Sequence, residues 1–143
     1  MTNLLFLLAP FLVLPSFTNT VEIELYNIED AKGSVRIAVF DSAKSFADRA
    51  PFVYATAVAV NSTDNIKVQI PELTTGKKYC IAVYQDINGN EEMDTNLFGV
   101  PTEPYAFSNN PRVKWKAPVF EEMAFQPENT GELRLRLAHW SDR

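Results

Sequence analysis

The chain has one cysteine, Cys80, and one histidine, His139, in 143 residues. No internal disulfide can form. No His cluster for zinc, Ser/His/Asp set or Cys/His pair is available either. Cys80 lies in Lys78-Tyr-Cys-Ile-Ala-Val-Tyr84 and reads as a small buried residue of a core strand, while His139 reads as a solvated residue of the C-terminal tail. Basic charge is also scarce. Thirteen Lys and Arg against eighteen Asp and Glu leave a net charge of −5, and the basic residues form no patch, which argues against nucleic acid as a partner. Arg112, Lys114 and Lys116 alternate as a solvated strand face would, as do Arg134 and Arg136.

Charge of either sign is missing before Glu22, and Leu4 to Leu14 is an unbroken apolar run of eleven residues. That is too short to span a bilayer as a helix and matches the hydrophobic region of a signal peptide. No Lys or Arg precedes it and no small-x-small site follows it, so a retained anchor is the competing reading. With a cut between Phe17 and Val21, residues 1–20 are a signal peptide and 21–143 a single domain, exported to the periplasm or secreted, with no membrane span after cleavage. No Cys follows the run, which excludes a lipoprotein. A chain of this length that is 46% hydrophobic can build one core but not two of ordinary size.

Beyond the leader the period is two. Val21, Ile23 and Leu25 alternate with Glu22 and Glu24; the same pattern recurs at Val35 to Val39, Tyr54 to Val60, Ile66 to Ile70, and Leu133 to Leu137. From Tyr79 to Tyr84 both faces are apolar, which predicts a central strand. Asn27 to Gly33, Asn61 to Asn65 and Pro71 to Lys77 carry turn chemistry, and Ser45 to Arg49 allows one helical turn. These elements predict an all-β, antiparallel β-sandwich of about seven strands with one long loop.

That loop breaks the rhythm. Asp86 to Pro118 holds four prolines and five asparagines, yet its aromatic residues argue against disorder. In Asp86-Ile-Asn-Gly-Asn-Glu-Glu-Met-Asp-Thr-Asn96, side-chain oxygens fall at relative positions 1, 3, 5, 9 and 11 (Asp86, Asn88, Asn90, Asp94, Asn96), and Glu92 at position 7 can offer its carbonyl. Ca²⁺ takes six to eight oxygens, and a tight loop with this spacing wraps them around one point. An EF-hand needs Gly at position 6 and Glu at position 12; Glu91 and Leu97 stand there instead. The site is expected to be weak, with a Kd of roughly 10⁻⁴–10⁻³ M. Glu103, Glu121 or Glu122 could complete the shell. The competing reading is an Asn88-Gly89 hairpin turn with its acids facing water.

Leu73-Thr-Thr-Gly76, Ala82-Val-Tyr-Gln-Asp86, Asn88-Gly-Asn90, Asp94-Thr-Asn96, Phe98-Gly-Val-Pro101-Thr-Glu103-Pro104-Tyr105, Phe107-Ser-Asn-Asn110 and Pro118-Val-Phe120 together resemble an exported bacterial family, domain-of-unknown-function family 2141. The resemblance runs from about Val21 to Leu137. It implies export and an immunoglobulin-like or prealbumin-like sandwich, and brings no established activity. The chain departs from the family pattern at Glu91 and Ala106, where glycine is expected.

Three functions compete. The first is a Ca²⁺-stabilised binding or adhesion module using the loop 86–110 and offering Phe98, Glu103, Tyr105, Phe107 and Trp115 to a glycan or an extracellular or envelope protein; the alternative for these aromatics is a small core under the loop. The second is an envelope structural or assembly subunit whose free strand edges add to a partner's sheet. The third is a carboxylate-based glycan-active enzyme, for which acids are plentiful but no further machinery is visible.

Overall fold

A computed structural model describes residues 14–113 and 115–142. The apolar run therefore lies almost wholly outside the described residues. Among them, no helix is long and apolar enough to cross a membrane.

Seven strands form two sheets. β1 (Thr18–Tyr26), β4 (Ile66–Thr74) and β7 (Glu132–Arg136) make a three-stranded sheet in the order β4-β1-β7; β2 (Ser34–Phe40), β3 (Tyr54–Ala59), β5 (Cys80–Asp86) and β6 (Tyr105–Phe107) make a four-stranded sheet in the order β3-β2-β5-β6. The all-β sandwich expected from the alternation is present. Val21, Ile23, Val35, Ile37, Ile81 and Leu135 are among the residues that meet in one core between the sheets. The partners of these residues in the alternation face outward. On the three-stranded sheet they form an exposed ionic ladder, in which Lys67 Nζ reaches Glu22 (3.1 Å) and Glu132 (2.7 Å). Such pairs add little stability in water; their clearer effect is to keep that face wet.

The outer face of the four-stranded sheet is different. Phe40, Cys80, Phe120 and Met123 form a second buried cluster, packed against Phe46 and Phe107. Two short helices, α1 (Ala43–Asp48) and α2 (Phe120–Met123), cover it. Ser42 caps α1 by accepting the Ser45 N–H (3.1 Å), and Arg49 ends it in the left-handed conformation. This second cluster explains why β5 is apolar on both faces: it is central in its sheet and covered on both sides. Burial pushes the Cys80 thiol up to about 12, which leaves it neutral and inert at physiological pH.

Several boundaries differ from expectation. β7 pairs with β1 in parallel, whereas the other strand pairings are antiparallel. The chain returns to the three-stranded sheet after the long crossover from β6, and so enters β7 at the end where β1 begins. β4 does not stop at Pro71. It continues to Thr74 by inserting one extra residue opposite β1, with Glu72 at φ 60°. β1 starts at Thr18, whose partner is Thr74, so the sandwich includes residues assigned above to the leader. Ala106 is not in a turn; it is fully buried in β6, opposite Val83.

The long loop is thus interrupted by β6 and followed by α2. A three-residue strand is too short to show a period. The stretch after β6 seals one side of the sandwich. Tyr105 and Ala138 form a bridge between the sheets. Asn110 Nδ2 donates to the Arg134 carbonyl (2.7 Å), and its Oδ1 accepts the Arg136 N–H (2.8 Å), so a side chain closes the edge of β7.

At the end of the sandwich where β1 finishes, Gly33 packs on the close of β5. A Cβ there would lie 1.8 Å from the Asp86 carbonyl oxygen, and φ is +65°. Gly33→Ala combines a left-handed backbone with a clash against main chain, and should cost about 3 kcal/mol. Urea denaturation of the variant beside the parent measures this.

Candidate functional site

The expected site begins where β5 ends. Asp86 is fully buried, and its carboxylate accepts four hydrogen bonds. Oδ1 takes the N–H groups of Gly89 (2.7 Å) and Asn90 (3.1 Å), and Oδ2 takes Glu91 N–H (3.0 Å) and Arg36 Nε (2.9 Å). Arg36 comes from β2, and its Nη2 also meets Glu91 Oε1 at 2.9 Å. One guanidinium therefore clamps both ends of the first loop turn.

The turn needs left-handed backbone twice, at Gly89 (φ 75°) and Glu91 (φ 68°). Glu91 thus adopts the conformation that glycine favours at this place. A non-glycine residue is strained in this region, and here the Arg36 ion pair and the Asp86 acceptor hold it. Asn88 Oδ1 accepts Asn90 N–H (3.1 Å) and Asn90 Oδ1 accepts Glu92 N–H (3.0 Å), so each side chain at positions 1, 3 and 5 folds back on the main chain.

Asn88, Asn90 and Asp94 converge. The Asp94 carboxylate accepts Asn88 Nδ2 (2.6 Å) and Asn90 Nδ2 (2.8 Å). Glu103, also buried, ties the loop base: its Oε1 accepts Ile87 N–H (2.9 Å) and its Oε2 accepts Asp94 N–H (3.2 Å). Asn96 stands apart from this group. Its Oδ1 accepts Phe98 N–H (2.9 Å) and Val100 N–H (3.1 Å), capping the next turn instead. Glu92 is exposed beside the cluster. Glu121 is elsewhere, paired with Lys78 (2.8 Å), and Glu122 accepts the Val119 N–H at the start of α2. Among the described residues, no three His, Cys, Asp or Glu side chains gather into a metal-holding group. Any cation here would rest on the Asp94 carboxylate, the two amide oxygens and main chain, because Asp86 already accepts four hydrogen bonds.

The five residues named for ligand contact divide. Tyr105 is buried, Glu103 is spent on the loop base, and Phe107 packs edge-on against Phe46 and Tyr105. Phe98 and Trp115 are each 91% exposed. Trp115 lies 6.2 Å from Trp140, ring to ring. Sequence reasoning missed Leu97, which is fully exposed beside Phe98. These two form the centre of a turn closed by Gly99 N–H to the Asn96 carbonyl (2.9 Å) and by the Thr95–Pro101 bridge. The Asn-x-x-Gly spacing was the available signal for such a tip. Arg36 was missed as well, because nothing local connects it to a residue fifty positions away.

A family model described as an uncharacterised protein conserved in bacteria matches residues 23–133. The chain belongs to domain-of-unknown-function family 2141. No curated protein and no solved structure matches it. The family match spans β1 to the start of β7 and includes the whole Asp86 loop, so the loop is part of the family domain rather than an addition to it.

Two surface cavities, of about 220 and 180 Å³, lie away from the turn between Asp86 and Asn96. The first is lined by Asn110, Pro111, Arg112, Arg136 and Asp142, the second by Lys78, Glu121, Ala124, Phe125 and Gln126.

Burial pushes the Asp86 carboxyl upward, but the hydrogen bond from Arg36 and those from the Glu91 and Gly89 N–H groups outweigh it and hold it below the usual aspartate value. A depressed folded-state pKa contributes stability that is present above the unfolded pKa and lost as pH falls through the folded one. Denaturation followed from neutral pH into the acid range should therefore show stability falling below the usual aspartate range. Asp86→Asn should be less stable at neutral pH, with a shallower acid-side decline.

Proposed function

We propose that this member of family 2141 is an exported, non-catalytic binding module whose loop 86–103 takes up Ca²⁺ weakly and holds out Leu97 and Phe98 to a glycan or an envelope protein. One observation carries this reading: Asn88, Asn90 and Asp94 converge within hydrogen-bond distance on a turn whose backbone is left-handed at Gly89 and Glu91. Asx oxygens that accept main-chain N–H groups retain lone pairs for a cation. A Ca²⁺ ion would replace the two amide N–H contacts to Asp94, after rotation of both amides, and would gain the Glu92 carbonyl. Asp86, whose oxygens each already accept two hydrogen bonds, would hold the base of the loop beneath the cation rather than enter its shell. The adjacent guanidinium of Arg36 opposes a second positive charge, which supports weak affinity rather than tight. Export is favoured by the apolar run ahead of β1, and the absence of disulfides gives a cation a role in stiffening the loop.

The tip is the surface such stiffening would present. Leu97 and Phe98 sit side by side in water at a turn tip and offer the apolar surface that such a contact needs.

Thermal melts with and without Ca²⁺ test the cation. At about ten times Kd, Ca²⁺ should add about 1.4 kcal/mol of stability. Mg²⁺ should do less, and Asp94→Ala should abolish the gain. An unchanged midpoint at millimolar Ca²⁺ retires the cation reading. Separately, Leu97→Ser with Phe98→Ser should leave the melt unchanged and reduce co-sedimentation with bacterial envelope preparations.

A further inference from the structure

Of the four lateral edges of the sandwich, three are managed. β6 and β7 are joined by the Tyr105–Ala138 bridge, and Asn110 caps β7. β4 is spoiled as an edge by Pro71 and by the left-handed Glu72, which bend the strand. Among the described residues, β3 has no such device. Residues 54–60 read Tyr-Ala-Thr-Ala-Val-Ala-Val, with no charge, proline or glycine. An uncharged edge strand of good β-propensity is a pairing site unless something covers it.

The hydrogen-bond phase is fixed by Val60 N–H, which donates to the Gly33 carbonyl at 3.0 Å. With the β2–β3 register and two-residue alternation, Tyr54, Thr56 and Val58 bond toward β2. The peptide groups of Ala55, Ala57 and Ala59 then point away from the sheet. All three alanines are exposed, and a methyl group does not hinder an approaching strand. Tyr54 and Val58, with Ile66 and Val68 of β4, are only partly buried at this side of the core.

We infer that β3 is the interface of a homodimer, in which β3 of a second copy pairs antiparallel about a two-fold axis at Ala57. The sequence selects this occupant. Ala55-Thr-Ala-Val-Ala59 is nearly a palindrome, because Thr and Val have almost the same shape. Rotation about Ala57 sets Ala55 opposite Ala59 of the second copy, Thr56 opposite Val58, and Ala57 opposite itself. Every outward peptide group then finds a partner, two hydrogen bonds at each of three residue pairs. Two four-stranded sheets become one continuous sheet of eight. The contact is self-complementary, as a two-fold interface must be, and no like charges meet within it. It also covers the half-exposed Tyr54 and Val58. The inference does not depend on Ca²⁺ or on the Leu97-Phe98 tip.

Sedimentation velocity of the purified protein at tens of micromolar tests it, with a dimer expected. Ala57→Lys brings two ammonium groups together at the axis and should give a monomer with an unchanged circular-dichroism spectrum. Ala57→Cys should oxidise to a disulfide-linked dimer, because its Cα atoms meet at about 5.5 Å in a hydrogen-bonded pair. The buried native Cys80 does not compete, and an exposed control, Ser62→Cys, should not link under the same conditions. A monomeric parent protein, a dimer that survives Ala57→Lys, or no more linkage at Ala57→Cys than at Ser62→Cys overturns the inference.

Discussion

The buried carboxylate of Asp86 is the point on which the upper end of the molecule depends. A charge in that position is costly unless its lone pairs are used. Here one guanidinium and three main-chain N–H groups use them. The consequence runs in two directions. Toward the core, it fixes the last residue of β5 against β2, where Gly33 leaves room for the Asp86 carbonyl. Toward solvent, it dictates the conformation of the next five residues, so the polar loop is shaped from its base before any ligand is considered. Glu103 repeats the device from the returning strand, accepting N–H groups from both arms of the loop. The site is therefore built on two buried acids that act as fasteners, with exposed groups beyond them.

This division also explains what sequence could and could not reveal. Alternation located the longer strands well because each has one wet face, most plainly the charged face of β1, β4 and β7. The double apolar character of β5 correctly marked a central strand, although the second cluster behind it depends on Phe46 and Phe120, far away in sequence. The β4 bulge was hidden because proline normally ends a strand. The direction of β7 was not legible, because two strands alternate identically whether they pair parallel or antiparallel.

In the loop, Asp86, Asn88, Asn90 and Asp94 lie in one hydrogen-bonded turn, since Asx side chains act locally, while Asn96 caps the next turn, which is closed by residues after it. Spacing could not sort the aromatics, because burial of Tyr105 and exposure of Phe98 depend on where β6 begins. Glu91 shows the limit of a residue-type rule. Glycine is the cheap answer at a left-handed position, but a long carboxylate with a fixed guanidinium partner also occupies it.

The parallel placement of β7 has a consequence for how the chain acquires its structure. β1 is the middle strand of its sheet, flanked by β4 and by the last strand of the fold. As the chain is made from its N-terminus, β1 can find β4 early, but its other side stays open until some hundred residues later, when Glu132–Arg136 arrive. Contacts so distant in sequence are slow to close. During that interval the apolar side of β1 must avoid wrong partners, and only its Glu22 and Glu24 side chains are there to discourage them. Glu22 and Glu24, which add little to the finished ladder, would blunt that open strand in the meantime.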